Sequence, residues 1–196
     1  EDAEKAMKQF VACSYNEDYE LFDGIKIRFT DAGHLLGSAS ISLEVTEAGE
    51  TETIVFSGDI GNKDRPLIKN PDNPNFADCV VIESTYGNRL HGERPKYISQ
   101  LLDIIQTTFD KGGNLIIPSF AVGRTQELLY LLRIIKEQGL VKEHGNFPVY
   151  VDSPLAVEAT EIYSSDIKEY FDNETLDLLS NGKNPIKFLG LPLSVT

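Results

Sequence analysis

Residues 25–61 read IKIRFTDAGHLLGSASISLEVTEAGETETIVFSGDIG, and the fold is decided here. Ile25, Ile27 and Phe29 alternate with Lys26 and Arg28, the period of a half-buried strand. After a loop from Asp31 to Gly37, ASISLEV (39–45) alternates again, Glu47 to Glu52 form a turn around Gly49, and TIVFS is a short apolar run of the buried-strand kind. Outward from this stretch, DCVVIES (78–84) repeats the buried-strand pattern beyond a Pro- and Asn-rich loop from Asn62 to Asn75. Upstream, Ala3, Ala6, Met7 and Phe10 fall at helical spacing, which predicts a helix over residues 1–11.

From Arg94 the period changes. Tyr97, Leu101, Leu102, Ile104, Ile105 and Phe109 form a helical stripe, stopped by Gly112 and Gly113. NLIIPS (114–119) reads as a strand, Thr125 to Gln138 as a helix, PVYVDS (148–153) as a strand, and Pro154 to Phe171 as a helix. Strands alternating with helices predict an α/β architecture with a parallel layer. The organisational boundary falls near Asn88, giving regions 1–88 and 89–196.

The hydrophobic share of 41% and charged share of 25% predict a packed core and exclude a fibrous or disordered chain. No apolar run approaches the roughly 18 residues of a membrane span, and EDAEKAMKQF has no signal-peptide character. The expectation is a cytoplasmic protein without a membrane partner. Cys13 and Cys79 stand alone, which excludes a disulfide framework or zinc knuckle; both read as buried thiols. The net charge of −13 argues against a nucleic-acid partner, because phosphate neutralisation needs Lys and Arg. Only residues 84–145 are basic, with 8 basic against 6 acidic side chains. A local basic cleft or bound cations still let an acidic protein hold a polyanion.

Three loops carry candidate chemistry. In DAGHLLGSA glycines flank His34, and in SGDIG the aspartate Asp59 sits between two glycines just past a buried strand. Imidazole and carboxylate suit zinc, and a carboxylate can bridge two ions in a hydrolytic site. Taken singly, each is more often an ordinary loop residue. Glu83, at the end of VVI, adds an acidic group where sites on α/β layers collect. The spacings of 25 residues from His34 to Asp59 and 24 to Glu83 leave room for strand and return, so all three can share one sheet edge.

DAGHLLGSASI, FSGDIG and IESTYGNRLH resemble three successive motifs of the β-CASP branch of the metallo-β-lactamase superfamily. LIIPSFAVGRTQELLYLL and PVYVDSPLA resemble the opening of its inserted domain. The resemblance, running from about Glu1 to Phe188, implies the C-terminal part of a metallo-β-lactamase αββα fold followed by the first part of a Rossmann-like β-CASP domain. It implies that His34 ligates one zinc ion and that Asp59 bridges two. Glu83 matches the acidic residue that orients a histidine assisting leaving-group protonation, so the resemblance places Asp59 and Glu83 in the catalytic machinery. The implied reaction is hydrolysis of an RNA phosphodiester by a ribonuclease, with single-stranded RNA as partner and DNA as the alternative.

The H-x-H-x-D-H signature and the later β-CASP histidines do not occur in these residues, where the histidines are His34, His91 and His144. The expectation is therefore a piece of a longer enzyme, inactive by itself, with an incomplete zinc site and an exposed apolar face that drives self-association. Ser119, Gly123 and Arg124, at a strand-to-helix passage, and Arg65 in DRPL are candidate phosphate contacts. Their plain alternative is a helix-start turn with an exposed arginine. His91 and His144 read as surface residues, and Asp152 or Ser153 as helix caps. Two rival functions stand beside the ribonuclease: a small-molecule ester or thioester metallohydrolase, disfavoured by the α/β continuation after Glu83, and a noncatalytic scaffold.

Overall fold

The computed structural model describes residues 2–74, 76–90, 97–165, 168–188 and 191. Two compact units divide the chain: Glu1–Lys63 with Asn70–Thr85, and Asp64–Lys69 with Tyr86–Thr196. Together they give a mixed α/β chain. No described helix is long and apolar enough to cross a membrane.

The first unit holds a short helix α1 (Asp2–Met7) and five strands: β1 (Asp18–Phe22), β2 (Ile25–Asp31), β3 (Ala39–Glu47), β4 (Glu50–Phe56) and β5 (Cys79–Val81). They form one sheet in sequence order, antiparallel from β1 to β4, with β5 parallel to β4. The alternation of β2 sets its faces. Ile25, Ile27 and Phe29 stand opposite Val45, Leu43 and Ile41; Leu43 and Ile41 in turn face Ile54 and Phe56, which pair with Cys79 and Val81. Directly opposed residues share a face, so one face is apolar from β2 to β5. The other carries Lys26, Arg28 and Thr30 opposite Glu44, Ser42 and Ser40.

The structure departs from the sequence reading in several places. The turn after β3 is only Ala48 and Gly49, at φ 52° and 86°, and Glu47 already pairs with Glu50. Two residues at positive φ match the twist of a tight hairpin, which leaves Thr51 and Glu52 in the strand. The N-terminal helix stops at Met7 and buries no residue, so the apolar spacing of residues 1–11 meets nothing to pack against. Cys13 is half-buried and Cys79 exposed on the apolar face, which corrects the expectation of two buried thiols.

In the second unit α2 (Tyr97–Asp110) and α3 (Arg124–Glu137) enclose a core of Ile105, Leu132, Ile135, Val141 and Phe147. Among the described residues two further α-helices follow, α4 (Pro154–Tyr163) and α5 (Asn173–Ser180). Helix α4 ends eight residues before the expected Phe171, capped at Ser164. The predicted strands at 114–119 and 148–153 do not form, and Ile116 is 84% and Tyr150 67% exposed. A parallel strand exists only through its neighbours' hydrogen bonds; an apolar run signals readiness for burial without supplying the partner.

Asp64–Lys69, in the connection from β4 to β5, groups with the second unit. Leu67 is 1% exposed; its carbonyl accepts the Asp172 N–H at 3.2 Å, and Ile68 bridges to the fully buried Phe171. Leu67 has φ 78°, a conformation rarely adopted by a bulky side chain. A single boundary near Asn88 does not provide for this excursion.

Candidate functional site

Sheet direction brings three loops to one edge. Because β2 and β4 both run antiparallel to β3, and β5 runs parallel to β4, the C-terminal ends of β2, β4 and β5 emerge on the same side. His34 follows β2, Asp59 follows β4 and Glu83 follows β5.

The His34 loop is closed at its base by the Asp31–Ala39 pair. Inside it, Ser38 Oγ accepts the N–H groups of His34 at 3.0 Å and Leu35 at 3.1 Å. Asp31 Oδ1 accepts the N–H of Gly33, which sits at φ 59°. The Asp59 loop begins at Ser57, whose N–H donates to Val81 O at 2.9 Å and whose carbonyl accepts the Ser40 hydroxyl at 2.8 Å. Farther along, the Gly61 N–H donates to Ala32 O at 2.8 Å, joining the two loops. The outcome is a distance of 3.9 Å from His34 Nε2 to Asp59 Oδ2, too long for a hydrogen bond but close enough for both to face one cation.

Glu83 completes the edge. Its N–H donates to Ser57 Oγ at 3.0 Å, and its carboxylate accepts the N–H groups of Thr85 at 3.0 Å and Ile60 at 3.2 Å. The Thr85 hydroxyl, followed by those two backbone donors, holds the carboxyl below the ordinary glutamate range, and the neighbouring His34 acts in the same direction.

His34 and Asp59 offer one imidazole nitrogen and one carboxylate, the donor chemistry of zinc. Among the described residues no group of three His, Cys, Asp or Glu side chains is arranged to hold a metal ion. The residues present therefore fit as part of a donor set.

Comparison with known proteins places the chain in a family. A Beta-Casp domain matches residues 125–194. Over 195 residues the chain is 35% identical to ribonuclease TTHA0252 of Thermus thermophilus, covering 97% of this chain and 42% of that protein. The chain belongs to the β-CASP family. It is also 35% identical to an RNase J-like protein of Methanocaldococcus jannaschii, covering 94% of this chain and 42% of that protein. Cleavage and polyadenylation specificity factor subunit 3-I of Arabidopsis thaliana is 31% identical, with 84% and 23% covered. This β-CASP chain thus spans less than half the length of these relatives.

The β-CASP match opens in α3, whose first residue is the candidate Arg124. Glu127, 7% exposed, accepts from two guanidinium groups: Arg65 at 2.7 Å through Nε and Arg124 at 2.6 Å through Nη1. Ser119 Oγ is 2.7 Å from Thr125 Oγ1, and the buried Gly123 directs its N–H to Gln126 Oε1 at 2.6 Å. The structure thus brings Arg65 and Arg124 together on Glu127 and turns the Gly123 N–H inward, with Arg124 57% exposed. Ser153 caps α4 by accepting from Ala156 N. His144 is half-buried, with Nε2 3.2 Å from Asp110 Oδ1 and its ring edge-on to Phe109, more enclosed than a surface residue. His91 lies outside the described residues.

Sequence reasoning missed Ser38, Ser57, Thr85 and Glu127. Serine and threonine are ordinary loop residues, and their role appears only once the backbone groups they meet are known. Gly61, two residues after Asp59, carried a faint signal as a further glycine beside a ligand-type side chain.

Proposed function

We propose that the protein containing this chain is a metal-dependent ribonuclease that hydrolyses RNA phosphodiester bonds. The observation that carries the reading is the approach of His34 to Asp59, 3.9 Å apart at the loop edge of a β-CASP chain. The relatives' names support RNA over DNA as the substrate. We read the first region, to about Asn88, as the C-terminal part of a metallo-β-lactamase αββα fold, and the rest as the first part of a Rossmann-like β-CASP domain.

In this reading His34 Nε2 and the Asp59 carboxylate would be two of the donors that hold zinc. Bound zinc supplies Lewis acidity and neutralises charge on the phosphate in the transition state. Glu83, ionised at neutral pH, accepts hydrogen bonds and holds the Asp59 loop through the Ile60 N–H. Arg124 offers an exposed guanidinium for single-stranded RNA, oriented by Glu127, while Arg65, Ser119 and Gly123 shape the turn beneath it. A cytoplasmic setting belongs to the same reading, as does inactivity of the 196-residue chain by itself.

The test is cleavage of end-labelled single-stranded RNA by the whole gene product with zinc present. Asp59→Asn and His34→Ala should each lower the rate by more than the roughly 10–100-fold typical of residues hydrogen-bonded to a metal ligand. Parental rates in both variants, or turnover of a small thioester and not of RNA, would overturn the assignment.

A further inference from the structure

Asp59 is bracketed by two peptide planes, and each is held by a different side chain. The carbonyl of the Gly58–Asp59 peptide accepts the Ser57 hydroxyl at 2.6 Å. The N–H of the Asp59–Ile60 peptide donates to Glu83 Oε1 at 3.2 Å. The two holders are themselves joined, since Glu83 N–H donates to Ser57 Oγ at 3.0 Å. A peptide is planar and leaves a residue only φ and ψ as soft rotations. Fixing the plane on either side therefore fixes the direction of the Asp59 Cα–Cβ bond.

Ser57 is the joint of this ring. Its hydroxyl donates to one plane and accepts from the residue that holds the other, filling its donor and one of its two acceptor positions. The residue is 5% exposed, and its own carbonyl and N–H are tied to Ser40 and Val81. Asp59, by contrast, has a side chain 76% exposed, so its direction is set chiefly by its backbone. We propose that Ser57, acting through Glu83 and the two peptides around Asp59, is the positioning residue that aims the Asp59 carboxylate at the metal position beside His34. The proposal rests on the reading of Asp59 as a metal donor.

The test uses the whole gene product, stripped of metal and titrated with zinc against a chelator, then with cobalt(II), whose visible spectrum reports ligand geometry. Ser57→Ala should weaken zinc affinity by up to roughly 10-fold, the low end of what loss of a group hydrogen-bonded directly to a metal ligand costs, because Ser57 acts through the backbone. It should also alter the cobalt(II) spectrum. Ser57→Thr, which keeps the hydroxyl, should restore both. Glu83→Ala, which releases the Ile60 N–H while leaving Ser57 in place, should weaken zinc affinity as well, and it carries the test if Ser57→Ala does not fold. Loss of affinity in Asp59→Asn together with parental affinity and spectrum in Ser57→Ala or Glu83→Ala would overturn the positioning role alone. Parental affinity in Asp59→Asn would overturn the donor reading beneath it.

Discussion

A Cβ placed on Gly61 would stand 1.7 Å from the carbonyl oxygen of Gly33, so these two glycines set how closely the Asp59 and His34 loops approach. The contact is with backbone, which has no flexible end to move aside. Gly61→Ala should therefore push the loops apart, destabilising the fold by about 1–3 kcal/mol as overpacking does and lowering metal affinity with it. Gly145→Ala meets only Val141 O at 3.9 Å and should stay within about 0.5 kcal/mol of the parent. Urea unfolding of the two variants side by side decides it.

Glu83 gives a pH signature. Its carboxyl is held below the ordinary value of 4.5 by the Thr85 hydroxyl and the Thr85 and Ile60 N–H groups. A depressed carboxyl contributes stability that is present above its unfolded-state value and is lost as pH falls through the folded-state value. The amide proton shifts of Ile60 and Thr85 should therefore titrate together with a midpoint below 4.5. Separate midpoints, or a shared one at or above 4.5, would contradict the clamp.

Glu127 and Arg124 should differ sharply on substitution although they touch. Glu127→Ala removes the carboxylate shared with Arg65, whose side chain is 19% exposed, and leaves a partly buried cation without that partner. A loss of about 1.5–3 kcal/mol is expected, as for a hydrogen bond to a charged group. Arg124→Ala removes a 57% exposed partner and should cost less than about 1 kcal/mol, as surface ion pairs do. Equal losses in chemical denaturation would mean that Arg65 does not depend on Glu127.

The apolar sheet face predicts association of the isolated 196-residue chain. Phe22, Phe56 and Val81 lie on that face and are 71%, 41% and 52% exposed. The net charge of −13 opposes contact, but its reach is only about 8 Å at 0.15 M salt. Light scattering should show a dimer or larger species that shrinks on dilution, and Phe56→Lys should shift it toward monomer. A monomer at every concentration would show that the face does not drive pairing.

The central strands were legible because alternation and pairing agree there: Ile25, Ile27 and Phe29 of β2 stand opposite Val45, Leu43 and Ile41 of β3. Strand β1 was not, since it is only five residues long and four of them are exposed; pairing with β2 defines it. At the site, His34, Asp59 and Glu83 could be picked out by residue type at strand ends. Their framing could not, because which N–H reaches Ser38, Ser57 or Glu83 depends on loops brought together from distant positions. The ion pair from Arg65 to Glu127 spans 62 residues, and nothing local marks either end.

The left-handed Leu67 has a consequence for synthesis. Its segment precedes β5 in the chain, yet the residues that enclose it, Phe171 and Asp172, emerge about a hundred positions later. During translation the Asp64–Lys69 segment must stay without these contacts until Phe171 and Asp172 leave the ribosome, while the hairpins of β1 to β4 can already pair. A gene cut near Asn88 would strand this hydrophobic plug on one product and its socket on the other. Each half would then bear an apolar surface that the uncut chain conceals within itself.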